Sequence, residues 1–254
     1  MIELLVATSV LAILILLLFS FFSQATHTWK SSESKVNAYS EARAALYYLS
    51  HDLQNARITS RIPFYKNPAI DNNGDGSFAP PEHGDKIFFI TTSGSDAQDP
   101  TLSNSDLCAV GYYIAYTSPS NGINRGAYNL HRYFKSSNTT WSNATGGLLA
   151  LMSDPNALLF PSANATRSTG GDEIIARNVI DFFIQRYTGD ADPIQLDDGD
   201  YHTQPAFFDI SLRAYNYDTA QKFTSAQDWT NSNTMETVKS QNAQLFRLRV
   251  NLNP

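Results

Sequence analysis

The stretch Asp71 to Glu82 reads DNNGDGSFAPPE and gathers oxygen-bearing side chains at a spacing that could hold a cation. It satisfies the calcium-loop pattern D-x-[DN]-x-[DN]-G-x5-E. In that pattern Asp71, Asn73 and Asp75 would offer side-chain oxygens and Ser77 a backbone carbonyl. Glu82 would close the site with both carboxylate oxygens, and Gly76 would make the sharp turn. Hard oxygen ligands suit calcium. The flanks depart from an EF-hand. Pro63 and Pro68 precede the loop and Pro80 and Pro81 lie inside it, which argues against helices on both sides. An Asp/Asn/Gly-rich surface turn, with side chains bonded to their own backbone, uses the same residues. Both readings stand on the sequence.

The other titratable residues offer less. Glu3 sits at the edge of a long apolar run, where an ionisable group is costly and usually has a partner or a function; a place among lipid headgroups is the plainer account. His51 and Asp52 are adjacent and would not share a helix face, so they make a poor metal dyad. Asp197, Asp198 and Asp200 read as a solvated acidic turn. The sequons at Asn138, Asn143 and Asn164 are common patterns in a chain rich in Asn and Thr. Cys108 is the single cysteine, which excludes an internal disulfide and a Cys-based zinc cluster and leaves a small buried hydrophobe. No nucleophile elbow, phosphate loop or dinucleotide fingerprint occurs. The net charge of −6 and the absence of a Lys/Arg cluster argue against nucleic acid.

The elements that must position these groups begin with a helix. Leu4 to Phe22 is uncharged and close to the ~20 residues that span a bilayer. It is longer than the apolar core of a cleaved signal and lacks a basic start, so it reads as an anchor. Beyond a polar stretch at 26–35, Tyr39, Ala42, Leu46, Leu49, Leu53 and Ala56 recur at steps of three and four, one helical face. No Pro or Gly interrupts the chain before Pro63. The pattern predicts one helix over about 3–58, roughly 80 Å long. Its first part (1–23) would be the anchor and its second (24–58) an amphipathic half resting on the domain that follows (59–254).

From Ile58 onward the period changes. Lys86–Thr92, Val110–Thr117, Ala127–Phe134, Val179–Tyr187, Ala206–Tyr215 and Gln244–Leu252 are strand candidates, rich in aromatic and β-branched residues and bounded by turn formers. In the last, Phe246, Leu248, Val250 and Leu252 alternate with Arg247, Arg249 and Asn251, which predicts one buried and one wet face. The stretch 147–160 suggests a short helix before Pro155, and 224–239 a polar loop or surface helix. The fold class is α+β: a long helix packed on antiparallel sheets.

The segment IELLVATSVLAIL, Ile2 to Leu14, resembles the start of mature type IV pilins and of type II secretion pseudopilins. Ile2, Glu3 and Leu4 match the Ile-Glu-Leu of their Phe-Thr-Leu-Ile-Glu-Leu-type motif. ARAALYYLSHDLQNARI, Ala42 to Ile58, resembles the helix end of the minor pseudopilin J family, and NLHRYF, NVIDFFIQRY and PAFFDISLRAY resemble its later strands. The layout is also similar to the prepilin-like Verru_Chthon cassette protein C family.

The resemblance implies a structural role without catalysis: a minor, tip-associated subunit of a pseudopilus or pilus-like filament. Its partners would be other pseudopilins or minor pilins, met through the amino-terminal helix, and the inner membrane. Glu3 would meet the amino terminus of a neighbouring subunit. No cofactor is required, with calcium at the 71–82 loop as the one ligand to test. Met1 falls where the third residue of a mature pilin would be, so the resemblance implies a leader upstream, cut by prepilin peptidase. Lys30 and Lys35 after the anchor argue by charge for a cytoplasmic domain, whereas the family implies a periplasmic one. A competing expectation is a signal-anchored periplasmic domain or adhesin that binds calcium or carbohydrate, which calls for a flexible linker after the anchor.

Overall fold

The computed structural model describes residues 2–59, 62–66, 84–92, 107–117, 126–135, 172–189, 194–196, 202–223, 225, 228–229 and 243–252. The 71–82 loop, the 147–160 stretch, the three sequons and Asp197, Asp198 and Asp200 lie outside these residues.

Helix α1 runs without a break from Ile2 to Gln54, 53 residues and about 80 Å. No hinge separates the apolar part from the amphipathic part. The helix ends four residues earlier than its hydrophobic period suggests, and the chain after it pairs with the end of a strand instead. Ala56 bridges Thr91, the Arg57 N–H donates to the Ile90 carbonyl at 2.8 Å, and the Thr92 N–H donates to the Asn55 carbonyl at 3.1 Å. The His51 carbonyl accepts from the Asn55 N–H at 3.3 Å and from the Asn55 side-chain amide at 2.8 Å, which closes the helix end.

Two antiparallel sheets follow. The first holds β1 (Tyr65–Lys66), β2 (Ile87–Thr91), β3 (Cys108–Thr117), β4 (Ala127–Lys135) and β5 (Asp172–Arg177), side by side in chain order. The second holds β6 (Val179–Thr188), β7 (Ile194–Gln195), β8 (Phe207–Tyr215) and β9 (Ala243–Asn251) in the order β7-β6-β8-β9. A four-residue helix α2 (Tyr217–Ala220) follows β8. All six strand candidates appear, displaced by two residues at most. β1, β5 and β7 are additional; two are only two residues long, and β5 carries too short an apolar pattern to stand out.

The chain leaves one sheet and enters the other at Asn178, which holds φ 58. Asn is among the few side chains that tolerate this left-handed conformation. Its N–H donates to Asn129 Oδ1 at 3.2 Å and its carbonyl accepts from the Tyr215 N–H at 2.9 Å, so the corner is bonded to both sheets.

The main core lies where α1 meets both sheets. Ala42, Ala45, Leu49 and Leu53 are fully buried there with Phe64, Phe89, Tyr112, Phe182, Ile184 and Phe208. A second apolar cluster covers the opposite face of the first sheet, with Phe88, Ile90, Tyr113 and Tyr133. β2 is therefore buried on both faces. The edge strand β9 follows its predicted alternation only in part: Val250 is buried and Arg247 and Arg249 are exposed, but Phe246 and Leu248 are half-buried. Phe246 meets the ring of Tyr39 edge-on at 5.7 Å. Trp229, in the stretch read as polar, is buried against Phe223 and Tyr215.

Candidate functional site: the long helix and its seat

The apolar part of α1 touches little of its own chain. Every large apolar side chain from Ile2 to Phe22 is exposed, Ile2 at 80% and Leu4 at 72%. Glu3 is exposed beside them. Two polar members of the run, Thr8 and Ser9, are bonded within the helix. Thr8 Oγ1 donates to the Leu5 carbonyl at 3.0 Å and Ser9 Oγ to the Val6 carbonyl at 2.8 Å, which removes the cost of bare hydroxyls in an apolar setting. The helix is long and apolar enough to be a membrane anchor or a signal sequence. A soluble monomer with so large an apolar surface would aggregate, so this surface calls for lipid or for other helices.

The other end of α1 is seated by one polar cluster. Asp52 is buried on the same face as Ala45, seven residues earlier. Its Oδ2 accepts from the Tyr112 hydroxyl at 2.5 Å and from Arg132 Nε at 2.8 Å. Arg132 Nε also lies 3.2 Å from the Tyr112 hydroxyl. Tyr112 and Arg132 face each other across the β3–β4 ladder, so the sheet presents both donors at one point. The Asp52 carbonyl accepts from Thr91 Oγ1 at 3.1 Å, adding a tie to β2.

Burial and the Asp52 charge push the Tyr112 phenol well above its ordinary value, against the opposing effect of Arg132. Burial disfavours the Arg132 charge, but the Asp52 hydrogen bond and charge, with Tyr112, outweigh it and hold the guanidinium protonated. The cluster is an ion pair between buried Asp52 and partly buried Arg132, with a shared phenol donor.

Further polar ties fix the head. Lys66 Nζ and Asp85 Oδ2 form a buried pair at 3.5 Å, and the same carboxylate accepts from the Ile184 N–H at 2.8 Å. The Arg186 guanidinium lies over the Phe64 ring at 5.4 Å. Higher on the helix, Glu41 accepts from the Arg177 N–H at 3.2 Å and from its guanidinium at 3.1 Å, both side chains partly in water.

Ile2, Glu3 and Leu4 lie together at the free end of α1, on the first helical turn. Asp71, Asn73, Asp75, Ser77 and Glu82 fall outside the described residues. Among the described residues, no group of three or more His, Cys, Asp or Glu is placed to hold a metal ion. His51 and Asp52 differ in burial, with side chains 55% and 3% exposed, and His51 Nδ1 stands 3.9 Å from Asp52 Oδ1. The Asp52–Tyr112–Arg132 cluster escaped the sequence reading. A charged residue seven positions after a buried alanine was the available signal. Its partners depend on strand pairing, which a lone sequence does not reveal.

The architecture is pilin-like: a long amino-terminal apolar helix whose far end packs against antiparallel sheets. Comparison with family models, curated proteins and solved structures finds no match to this chain.

Proposed function

We propose that this chain is a structural subunit of a pseudopilus or type IV pilus-like filament, of the minor pseudopilin kind. The observation that carries the reading is the single unbroken helix. Its first half is apolar on every side and uncovered, and its last third is built into the head. A signal-anchored domain that works alone gains nothing from a rigid connection and is better served by a flexible linker. A filament subunit needs the rigid connection, because packing among anchors must fix where each head stands.

In this reading the anchor waits in the inner membrane with the head on the periplasmic side. Assembly replaces lipid contacts with contacts to neighbouring anchor helices. Glu3, costly in hydrocarbon as a lone carboxylate, is drawn to a neighbour's free amino terminus. The role is assembly, with no catalytic step.

The test is to follow the full chain in its own host. Wild type should partition between the membrane and sheared surface filaments. Glu3→Val should insert into the membrane at the wild-type level and be lost from the filament fraction. Equal incorporation of wild type and variant, or a wild-type chain confined to the membrane while filaments form, would remove the proposal.

A further inference from the structure

We propose that Trp29 fixes the depth of α1 by sitting in the headgroup layer of a phospholipid bilayer, a role that rests on the membrane-anchor reading of the apolar run but not on filament assembly. At 1.5 Å per residue, Leu4 to Phe22 covers about 28 Å, close to the ~30 Å hydrocarbon core of a bilayer. One edge of that core therefore falls near Phe22. The next ionisable residues are His27, Lys30, Glu33 and Lys35, and Trp29 stands among the first of them. The helix has no break here, so the backbone sets how far Trp29 lies from the edge.

The Trp29 Cα lies about 10 Å beyond Phe22 along the axis. Side chains on a helix lean toward its amino terminus, so the indole reaches back from there into a headgroup layer roughly 5–8 Å thick. The indole is 76% exposed. Its apolar body and single N–H donor suit a layer that is apolar on one side and wet on the other. Its surroundings agree. Phe21, Ala25, Thr28, Trp29 and Ser32 line one shallow groove along the helix, apolar at the Phe21 end and polar at Ser32. Thr26 Oγ1 donates to the Phe22 carbonyl at 2.8 Å and Thr28 Oγ1 to the Gln24 carbonyl at 2.9 Å, so the hydroxyls nearest the edge need no water. Lys30 follows Trp29 in the chain, where its ammonium can meet lipid phosphate. The ring contact of Tyr39 with Phe246 of the head lies about 15 Å farther along the helix.

The competing occupant of this groove is the helix of a second copy. Such a helix would have to pack against Thr28, Ser32 and Glu33, and Glu33 would lose hydration in doing so. Headgroups and water leave the same groups hydrated. A lipid surface therefore satisfies both the ring and the polar residues that alternate with it.

The test uses the full chain, reconstituted at high dilution in phosphatidylcholine vesicles, and reads Trp29 fluorescence as the difference between wild type and Trp29→Phe. The substitution changes an exposed residue, so both chains should keep the same head. Flotation of the vesicles first shows whether the chain is anchored. In the floating fraction, Trp29 emission should be blue-shifted from that of an indole in water and shielded from aqueous acrylamide. It should be quenched more by lipid brominated near the headgroup end of its chains than by lipid brominated near the chain ends. A floating chain whose Trp29 is open to acrylamide and untouched by either brominated lipid would overturn the proposal and leave the anchor reading standing. So would shielding from acrylamide without quenching by lipid, the result expected if a second copy covers the ring. Stronger quenching by the deep bromines would overturn it as well, because the hydrocarbon edge would then lie beyond Trp29. A chain that does not float would remove the anchor reading and this proposal together.

Discussion

In the first half of α1 every large apolar side chain from Ile2 to Phe22 is uncovered, whereas toward its other end Ala42, Ala45, Leu49 and Leu53 are sealed from solvent. The polar groups differ in the same sense. Thr8 and Ser9 bond to carbonyls one turn back in the same helix, while Asp52 bonds to two strands 60 and 80 residues away in sequence. One half is a complete helix whose surface is matched to an apolar solvent. The other is a part of a domain, held by side chains it does not own. The rigid backbone that joins them lets a contact made by the apolar half fix the position of the head.

That contrast predicts opposite responses to the same substitution. Leu49→Ala should destabilise the head by about 2–5 kcal/mol, because it deletes buried methyl groups and leaves a cavity. Leu14→Ala, at a site 52% exposed, should leave the head's unfolding midpoint unchanged. Chemical denaturation of the full chain in detergent, followed by near-ultraviolet circular dichroism, measures both. A shift of similar size for Leu14→Ala would mean that the apolar half packs on the head after all.

The same contrast explains which features could be read in advance. The apolar run is legible, because an uncharged stretch of this length is what a membrane anchor or a signal sequence carries. The stripe is legible because four of its six members, Ala42, Leu46, Leu49 and Leu53, do enter the core. Strands β2, β3, β4, β6, β8 and β9 show through their aromatic and β-branched content. Asp52 was hidden by a sound prior that carboxylates face water. Only the pairing of Tyr112 with Arg132 across a ladder makes its burial affordable, and that pairing is tertiary information. The helix end was misplaced for a related reason: no Gly or Pro stops it, and the competitor is a β2 edge supplied from 35 residues downstream.

Alkaline pH should separate the halves next. Burial raises the phenols of Tyr112, Tyr116, Tyr128 and Tyr215, all on strands of the head. The folded chain then keeps protons that the unfolded chain has released. Stability should be full below the ordinary phenol value of about 10 and fall as pH rises through the raised folded values, by about 1.4 kcal/mol per pH unit for each phenol. Tyr215 is the clean probe. Burial and Asp181 raise it against Arg213, and its hydroxyl has no hydrogen-bond partner among the described residues. Tyr215→Phe should flatten the alkaline limb by one proton's slope and leave stability near neutral pH equal or slightly higher. An unchanged slope would show that this phenol is open to water in the folded chain.

The smallest effect belongs to a carboxylate on the same helix as Asp52. Glu41 also meets a strand arginine, Arg177, at 3.1 Å, and by contact geometry the two pairs look alike. Water distinguishes them. The Glu41 and Arg177 side chains are 39% and 68% exposed, so each ion is hydrated before and after pairing and the net gain is small. Glu41→Ala should therefore cost under about 1 kcal/mol, and that cost should shrink further in high salt, where exposed charges are screened. Denaturation midpoints at low and high salt measure it. A loss comparable to that of Leu49→Ala, or one insensitive to salt, would place Glu41 among the interactions that build the head. The helix would then be gripped by charge along its whole seated length, and Asp52 would lose its distinction as the one place where burial makes a carboxylate decisive.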